Sequence, residues 1–390
     1  MARWRSTRRA RPVRQPRSFR SRSADRLRQF ALIALAAVAI GAAKPAVGAP
    51  FDHEKLAETA RAAYIVPGYA RFAEALAALE RTTKALCRAP SPENLAAIRA
   101  AYRGAIVAWG RVEIITFGPV RDENRFERIF FWPDRRSIGQ RQVRAILREQ
   151  DRSVIAPDRL GERSVAVQGL TALEMLLHGS GADQLAGDEP DNFRCAYALA
   201  IVQNLEAIVG AVRQGWQDDG AYVKLWRNPG PDHPTYLFAS ETTLELVKAF
   251  DQALENIRDR RIAPAIGFGP LRRKHRPVLW RSRLTMPLIH ANLEGARDLL
   301  MTGGLAEAYM AARENAPEAA GDISSIASEF KLMLDRTSVL AGEADPFASG
   351  GIRRRLVAVG FPLKNIRTQA VGRLKQAAGL SVGFNASDGD

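Results

Sequence analysis

The residue pattern from position 51 onward constrains the fold of this chain more than any other feature. Long stretches rich in Ala, Leu, Arg and Glu alternate with short Pro- and Gly-bearing breaks, and no run of alternating β-branched residues exceeds a few positions. Alanine and straight-chain residues favour helix, whereas strands need β-branched or aromatic residues at alternate positions. Aromatic residues make up only 7% of the chain, which also disfavours sheet. We therefore predict an all-α protein.

The breaks predict where the helices begin and end. A first helix should kink at Pro67, because proline removes a backbone donor, and Ser91 should cap the second helix. The predicted helices are 52–88, 91–115, 138–149, 164–178, 191–216, 234–259, one kinked near Pro287, 316–341 and 346–378. Residues 217–232 are rich in Asp, Gly and Pro and are the best candidate for a domain boundary. We expect two tandem helical-bundle domains, 50–216 and 233–390.

Residues 1–49 have the three parts of a secretory signal peptide. Eleven Arg precede residue 29, the apolar run Phe30–Ala43 follows, and Ala-Val-Gly-Ala stands at 46–49. The apolar run of 14 residues is shorter than the roughly 20 that span a bilayer, so a retained membrane anchor is the weaker alternative. The pattern predicts export to the periplasm, with membrane association only through this segment if it stays uncleaved.

The basic charge of the chain lies mostly in this signal segment. Residues 1–49 carry eleven of the +15 net charges, which leaves +4 for residues 50–390. The basic run Arg272–Arg276 has no aromatic platform beside it, and such runs are usually solvated surface. We therefore expect no nucleic-acid partner.

The chain has two cysteines, Cys87 and Cys195. Export implies an oxidising compartment, where an even number of cysteines allows a disulfide. The alternative is two buried free thiols that behave as small apolar groups. We expect the bridge.

The common catalytic motifs are absent from the sequence. It has five His and no H-E-x-x-H, P-loop, G-x-S-x-G or G-x-G-x-x-G pattern. The usual zinc-protease, nucleotide-binding and α/β-hydrolase sites are therefore excluded.

A polar triplet stands out in the apolar stretch 164–179. Thr171 lies three residues before Glu174 and His178 lies four after it, so on a helix all three share one face. A carboxylate among apolar residues needs a partner or a shifted pKa, and this triplet could form a metal or polar site. The alternative is a Glu paired with an Arg of a neighbouring helix and a His at a helix C-terminus.

The predicted loop 117–137 and the helix end before it are dense in Trp, Asn, Arg and Asp. Long loops of this composition are either functional or ordered packing elements. The candidate binding residues from this region are Arg111, Glu113, Asp122, Asn124, Arg125 and Trp132.

Four segments of the chain resemble the imelysin family of bacterial proteins. They are 112–120 (VEIITFGPV), 128–134 (RIFFWPD), 164–174 (SVAVQGLTALE) and 384–390 (FNASDGD). The resemblance covers about residues 51–390. It implies an exported protein of two helical bundles, in a family named for a peptidase and related to periplasmic iron uptake.

The resemblance also implies a site. Members of the family carry a G-x-H-x-x-E motif, proposed as a metal or active site at the domain interface, and Gly169, Thr171 and Glu174 stand at the matching positions. Threonine replaces the histidine, and its neutral hydroxyl is a poorer transition-metal ligand than imidazole. His178 could restore an imidazole one turn later.

Two functional hypotheses remain. We prefer a non-catalytic periplasmic binding protein, related to a metal or to iron, with its site at the domain interface. The alternative is a metal-dependent peptidase of the imelysin family, which needs an activated water or nucleophile beside a base. Glu174 and His178 are the candidate ligands for a divalent metal or iron, and the candidate partners are a small ligand or other envelope proteins.

Overall fold

Every regular element in the described part of the chain is a helix. The structure is a computed structural model that describes residues 50–380 apart from 157–158, 188–191, 233, 268–275, 315, 344–345 and 348–350. The all-α prediction is confirmed. The predicted signal peptide, residues 272–275 of the basic run and the chain end at 384–390 lie outside the described residues.

Fourteen α-helices are described, with two π-helical segments in line with them. In the first half they are α1 His53–Ala60, the π segment Arg61–Ile65, α2 Val66–Arg88, α3 Pro92–Val112, α4 Arg125–Ile129, α5 Ile138–Glu149, α6 Leu170–His178 and α7 Phe193–Gly215. They continue with α8 Ala221–Arg227, α9 Ala239–Glu255, the π segment Asn256–Ile262, α10 Ala263–Ile266, α11 Thr285–Met301, α12 Leu305–Ala312, α13 Glu318–Gly342 and α14 Ile352–Ala377. Single 3₁₀ turns connect several of them.

Polar side chains fix the starts of three helices. Asp52 accepts from the backbone N–H of Lys55 at 2.9 Å, Ser91 caps α3 through the N–H of Asn94 at 3.1 Å, and Asn192 caps α7. Each satisfies a backbone donor that has no partner within its own helix. The predicted Ser91 cap is confirmed.

The proline positions behave differently from the sequence expectation. The first long helix is interrupted at the π segment Arg61–Ile65, one turn before Pro67, and Pro67 lies in the first turn of α2. The N–H of Val66 donates five residues back to the carbonyl of Arg61, and Pro67, which has no N–H, follows directly. The kink expected near Pro287 is absent, because α11 begins at Thr285 and Pro287 stands in its first turn, where no intrahelical donor is needed.

A chain of helix contacts connects the two halves. The helix α2 packs on α3 and α7, α3 packs on α11, α11 packs on α13, and α9 packs on α14. A Cβ at Gly295 of α11 would collide with the carbonyl oxygen of Arg111 on α3, so glycine permits this close approach. The described residues form one compact unit. A division into two bundles at 217–232 stays a prediction.

The predicted disulfide is confirmed. It joins Cys87 at the end of α2 to Cys195 at the start of α7, with the two Cα atoms 5.6 Å apart. Of the described helices, α7 is the one that is long and apolar enough to cross a membrane. A core helix meets the same criterion, and α7 packs along α2 and carries the disulfide. We therefore describe α7 as a core helix.

Candidate functional site

A cavity of about 760 Å³ opens between residues from both halves of the chain. One side is formed by residues 131–140, Ala166 and the α6 residues Thr171, Glu174 and Met175. The other side is formed by residues 259–264, in the second π segment and α10, and by residues 276–281. Small-molecule sites in proteins commonly have this size.

Glu174 connects the two sides of the cavity through hydrogen bonds. It is 4% exposed, and its Oε1 accepts from the backbone N–H and from the hydroxyl of Ser282, both at 2.9 Å. Burial raises the pKa of Glu174, and the hydrogen bonds from Ser282 and the charge of Arg281 act against that rise. The carboxylate therefore anchors residues 276–284 to helix α6.

We call residues 276–284 the anchored loop. Two of its residues have an unusual backbone conformation. Leu279 and Arg283 have φ values of 54° and 58°, in the left-handed region that residues with a Cβ seldom adopt. The hydroxyl of Ser282 donates to the carbonyl of Leu279 at 3.1 Å, and that of Thr285 donates to Val278. These bonds and the anchor on Glu174 offset the backbone strain.

The anchored loop presents an indole ring with two arginines against it. The guanidinium carbons of Arg276 and Arg281 each lie 4.5 Å from the ring centroid of Trp280, within cation–π range. The Trp280 side chain is 38% exposed, so part of the ring stays open. Burial lowers the pKa of Arg281, the charge of Glu174 acts against that fall, and the charges of Arg144 and Arg276 lower the pKa further.

Arginines outnumber carboxylates in the cavity lining. The three acidic groups are engaged: Glu174 by Ser282, Asp134 by the N–H groups of Ile138 and Gly139 at 2.7 and 3.0 Å, and Asp259 by Arg258 at 3.3 Å. Of the five lining arginines, Arg261 pairs with Glu113. The others, for which no ion pair is found within the described ranges, are Arg135, Arg260, Arg276 and Arg281. The cavity therefore carries an excess of positive charge.

Three contacts hold helix α6 in place beneath the cavity. A Cβ at Gly169 would stand 2.5 Å from the carbonyl oxygen of Arg128, so only glycine allows the chain to enter α6 here. Tyr102 donates to the carbonyl of Leu170 at 2.9 Å. Arg99 donates to the carbonyl of Leu177 at 2.9 Å, where a cation also complements the helix dipole.

Three of the candidate site residues from the sequence lie together in the cavity lining: Trp132, Thr171 and Glu174. Thr171 is half-buried. The Trp132 indole N–H is buried and has no hydrogen-bond partner in the described structure. Gly169 lies next to them and acts through backbone packing, as described above.

The other candidates lie outside the lining, and the charged ones from the 111–125 region make ion pairs. Arg111 binds Glu294 through two nitrogens at 2.5 and 2.9 Å. Glu113 pairs with Arg261, so it supports a lining residue from behind. Arg125 donates to Asp122 at 3.3 Å and to the carbonyl of Pro119 at 2.9 Å, and Asn124 between them has a backbone in the left-handed region.

His178 points away from the cavity lining. Its ring lies 5.8 Å from that of Tyr102, centroid to centroid, and its Nε2 is buried with no partner among the described residues. Burial, helped by the charge of Arg99, lowers the pKa of His178 to about 4. The ring is therefore neutral at pH 7.

The residues around Glu174 fit a metal ion poorly. Its Oε1 already accepts two hydrogen bonds, Thr171 supplies a neutral hydroxyl, and Arg281 lies close enough to act on its charge. The described ranges contain no group of three or more His, Cys, Asp or Glu side chains placed to hold a metal ion. A metal site made by Glu174 and His178 stays a prediction from the sequence.

Sequence reasoning did not identify Arg260, Trp280, Arg281 and Ser282 as site residues. They lie 86 or more positions after Glu174 in the chain, and no helical spacing links them to it. The one available signal was that Trp280 and Arg281 follow the basic run Arg272–Arg276.

A family model, a curated relative and solved structures match this chain. The sequence model described as imelysin, peptidase M75, matches residues 65–347. Iron-regulated protein A of Synechococcus elongatus is 24% identical over 238 residues, which are 60% of each chain. The chain therefore spans less than two thirds of the length of that relative.

Two solved structures share the fold. An imelysin-like protein of Psychrobacter arcticum has a TM-score of 0.67 at 18% identity, covering 85% of this chain and 97% of that one. A protein of Parabacteroides distasonis described as an iron-regulated protein A precursor has a TM-score of 0.67 at 12% identity, with the same coverage. At these identities the likeness concerns the fold alone.

Proposed function

This chain belongs to the imelysin family, and we propose that it is an exported, non-catalytic binding protein whose ligand site is the cavity around Glu174. The observation that carries the proposal is the cavity itself, about 760 Å³ in volume and walled by residues from both halves of the chain. A preformed cavity with apolar walls and a few convergent polar groups is the usual form of a small-molecule site. Residues held by the Glu174–Ser282 anchor make one of its walls.

The compartment we propose is the periplasm. The disulfide between Cys87 and Cys195 is consistent with an oxidising compartment. Residues 1–49 have the sequence pattern of a signal peptide, and one structural relative is described as a precursor.

A relation to iron is part of the proposal. It rests on the name of the cyanobacterial relative, iron-regulated protein A, and on that of the structural relative from Parabacteroides distasonis. Because the lining carries excess positive charge, an iron ion would enter as a complex with an organic anion rather than as a bare cation.

Peptide hydrolysis is the alternative that the family name suggests. A peptidase needs a metal-bound water or a nucleophile next to a free base. Here Glu174 accepts two hydrogen bonds from Ser282, Thr171 offers no imidazole, and His178 points away from the lining. These contacts favour binding over hydrolysis.

The test uses a cavity-filling variant and a matched control. Met175 lines the cavity, whereas Met310 is 38% exposed on α12, away from it, so Met175→Trp and Met310→Trp add the same bulk at the two places. Protein purified from the periplasm is titrated with citrate, ferric citrate, Zn²⁺ and a neutral aromatic compound. We expect at least one probe to bind the wild type and Met310→Trp but not Met175→Trp. The absence of binding by every probe, or equal binding by Met175→Trp, would contradict the proposal.

Cleavage of casein with and without EDTA tests the alternative. We expect no cleavage under either condition. Chelator-sensitive cleavage that is lost in Glu174→Gln would establish the peptidase instead.

A further inference from the structure

We propose that the cavity binds a small organic anion that carries at least two carboxylate or phosphate groups on a flat apolar body. This inference rests on the proposed function and specifies its ligand class. It is carried by the placement of Arg260, Arg276 and Arg281 beside the rings of Trp132 and Trp280 in one cavity lining.

The cavity lining carries positive charge that its own carboxylates do not neutralise. Of the eight charged lining residues, the three carboxylates are satisfied by Ser282, by backbone N–H groups and by Arg258. Four guanidinium groups face the cavity or its rim without an ion pair in the described structure. Positively lined clefts concentrate anions and repel bare cations.

The shape of the arginine side chains suits ligands with acidic groups. A guanidinium group presents a planar fork of N–H donors that matches carboxylate and phosphate oxygens two at a time. Arg260 belongs to the second π segment and Arg281 to the anchored loop, so their forks reach the cavity from two different elements. A ligand with two anionic groups can therefore offer a separate group to each arginine.

Aromatic rings in the lining can bind the apolar body of such a ligand. The lining includes the rings of Phe131, Trp132 and Trp280. Trp280 is already in contact with two guanidinium groups, and it remains 38% exposed. A flat apolar body can stack on such a ring while its acidic groups meet the arginines.

Glu174 acts here as a positioning residue. Through Ser282 it holds the anchored loop, which carries Arg276, Trp280 and Arg281. It shapes the site without contributing a ligand oxygen of its own.

The test uses benzene-1,3,5-tricarboxylate and 1,3-phenylene bisphosphate as probes, with benzyl alcohol and Zn²⁺ as comparisons, and binding is followed by tryptophan fluorescence and calorimetry. We expect one or both anions to bind the wild-type full chain, at least tenfold more tightly than benzyl alcohol or Zn²⁺. Tighter binding of the tricarboxylate identifies a carboxylate ligand, and tighter binding of the bisphosphate identifies a phosphate ligand.

Charge-matched variants show whether the cavity is responsible. Arg276→Gln/Arg281→Gln should weaken anion binding at least tenfold, and Arg260→Gln, at an exposed position, should weaken it severalfold. The control Arg353→Gln/Arg354→Gln removes the same charge from the exposed face of α14 and should change binding less than twofold. Equal loss in the control, or unchanged binding in both cavity variants, would overturn the inference.

The outcomes separate this inference from the proposed function. Binding of benzyl alcohol or Zn²⁺ alone, blocked by Met175→Trp, would keep the binding function and overturn the anion specificity. If no probe binds, both proposals fail.

Discussion

Arg261 donates to the carboxylate of Glu113 in a pair whose side chains are only 6% and 12% exposed. The second carboxylate oxygen of Glu113 accepts from Asn292 at 3.1 Å, and the same amide donates to the carbonyl of Gly110 at 2.7 Å. The pair therefore joins α3, α11 and the second π segment at one buried point. Because Arg261 lines the cavity, the position of that wall depends on a helix of the first half.

Removal of Glu113 should destabilise the fold strongly. Glu113→Ala leaves Arg261 buried without its partner, and breaking buried pairs in this way costs about 3–5 kcal/mol. The control is Glu307→Ala, which breaks an exposed pair: the side chains of Lys55 and Glu307 are 64% and 60% exposed. This control should cost far less, because exposed pairs contribute little to stability. Urea unfolding measures both values, and equal losses would contradict a special role for the buried pair.

The two substitutions of Glu174 should differ in stability. Glu174→Gln keeps an oxygen that accepts from Ser282, whereas Glu174→Ala leaves the buried N–H without an acceptor, at a cost of about 1–3 kcal/mol. Urea unfolding at constant pH measures the difference. Unfolding midpoints that coincide for the two variants would show that the anchor contributes nothing.

The raised pKa of Glu174 should also make stability depend on pH. The folded state holds this proton more tightly than the unfolded state, so the contribution is present below pH 4.5 and is lost as pH rises through the folded pKa. Between pH 4.5 and pH 7.5, the free energy of unfolding of Glu174→Gln should therefore rise relative to that of the wild type. A free-energy difference that is constant over this range would contradict the assigned pKa direction.

His178 should weaken the fold in acid. Its pKa is lowered from 6.5 to about 4, so the unfolded state takes up the proton first and stability is lost as pH falls from 6.5 through 4. One pKa unit corresponds to about 1.4 kcal/mol, which gives a loss of up to about 2 kcal/mol between pH 7 and pH 5. His178→Phe should remove most of this loss, and His53→Gln, at a less buried ring, should remove less. An unchanged acid profile in His178→Phe would contradict the prediction.

The disulfide should contribute a large share of the stability. It closes a loop of 108 positions, and in the chain-entropy model a loop of this length stabilises by about 4–5 kcal/mol, less any strain. Cys87→Ser/Cys195→Ser should lower the free energy of unfolding by that order. Wild-type protein denatured without reductant should show no free thiol, and two titrating thiols would contradict the bridge.

The helical fold could be predicted from the sequence because its signals are local. The cap at Ser91 and the breaks at Pro and Gly act within one or two turns of the backbone. The π segments could not be predicted in this way, because tertiary packing decides whether a turn widens. The same holds for Pro287, which could kink a helix or begin one.

The candidate site was predictable only in part. Glu174 stood out because a carboxylate in an apolar helix must find a partner, but that partner, Ser282, is 108 positions away on a loop without periodicity. Arg111 and Glu113 were candidate binding residues because they are charged and precede a long loop. The structure shows them in ion pairs between helices. Charge in a sequence indicates that a pairing exists, and only the fold shows whether a ligand or another helix provides it.

The second π segment has a consequence for how this chain can tolerate change. A π turn is equivalent to one extra residue inserted into an α-helix, and Asn256–Ile262 carries the lining residues Asp259, Arg260 and Arg261. Deleting one residue there would restore regular α geometry and keep the side chains after the segment in register, whereas the side chains inside the segment would change direction. Length variation at this position would therefore redirect the cavity chemistry, whereas most point substitutions on the exposed side of the same turn would leave it in place.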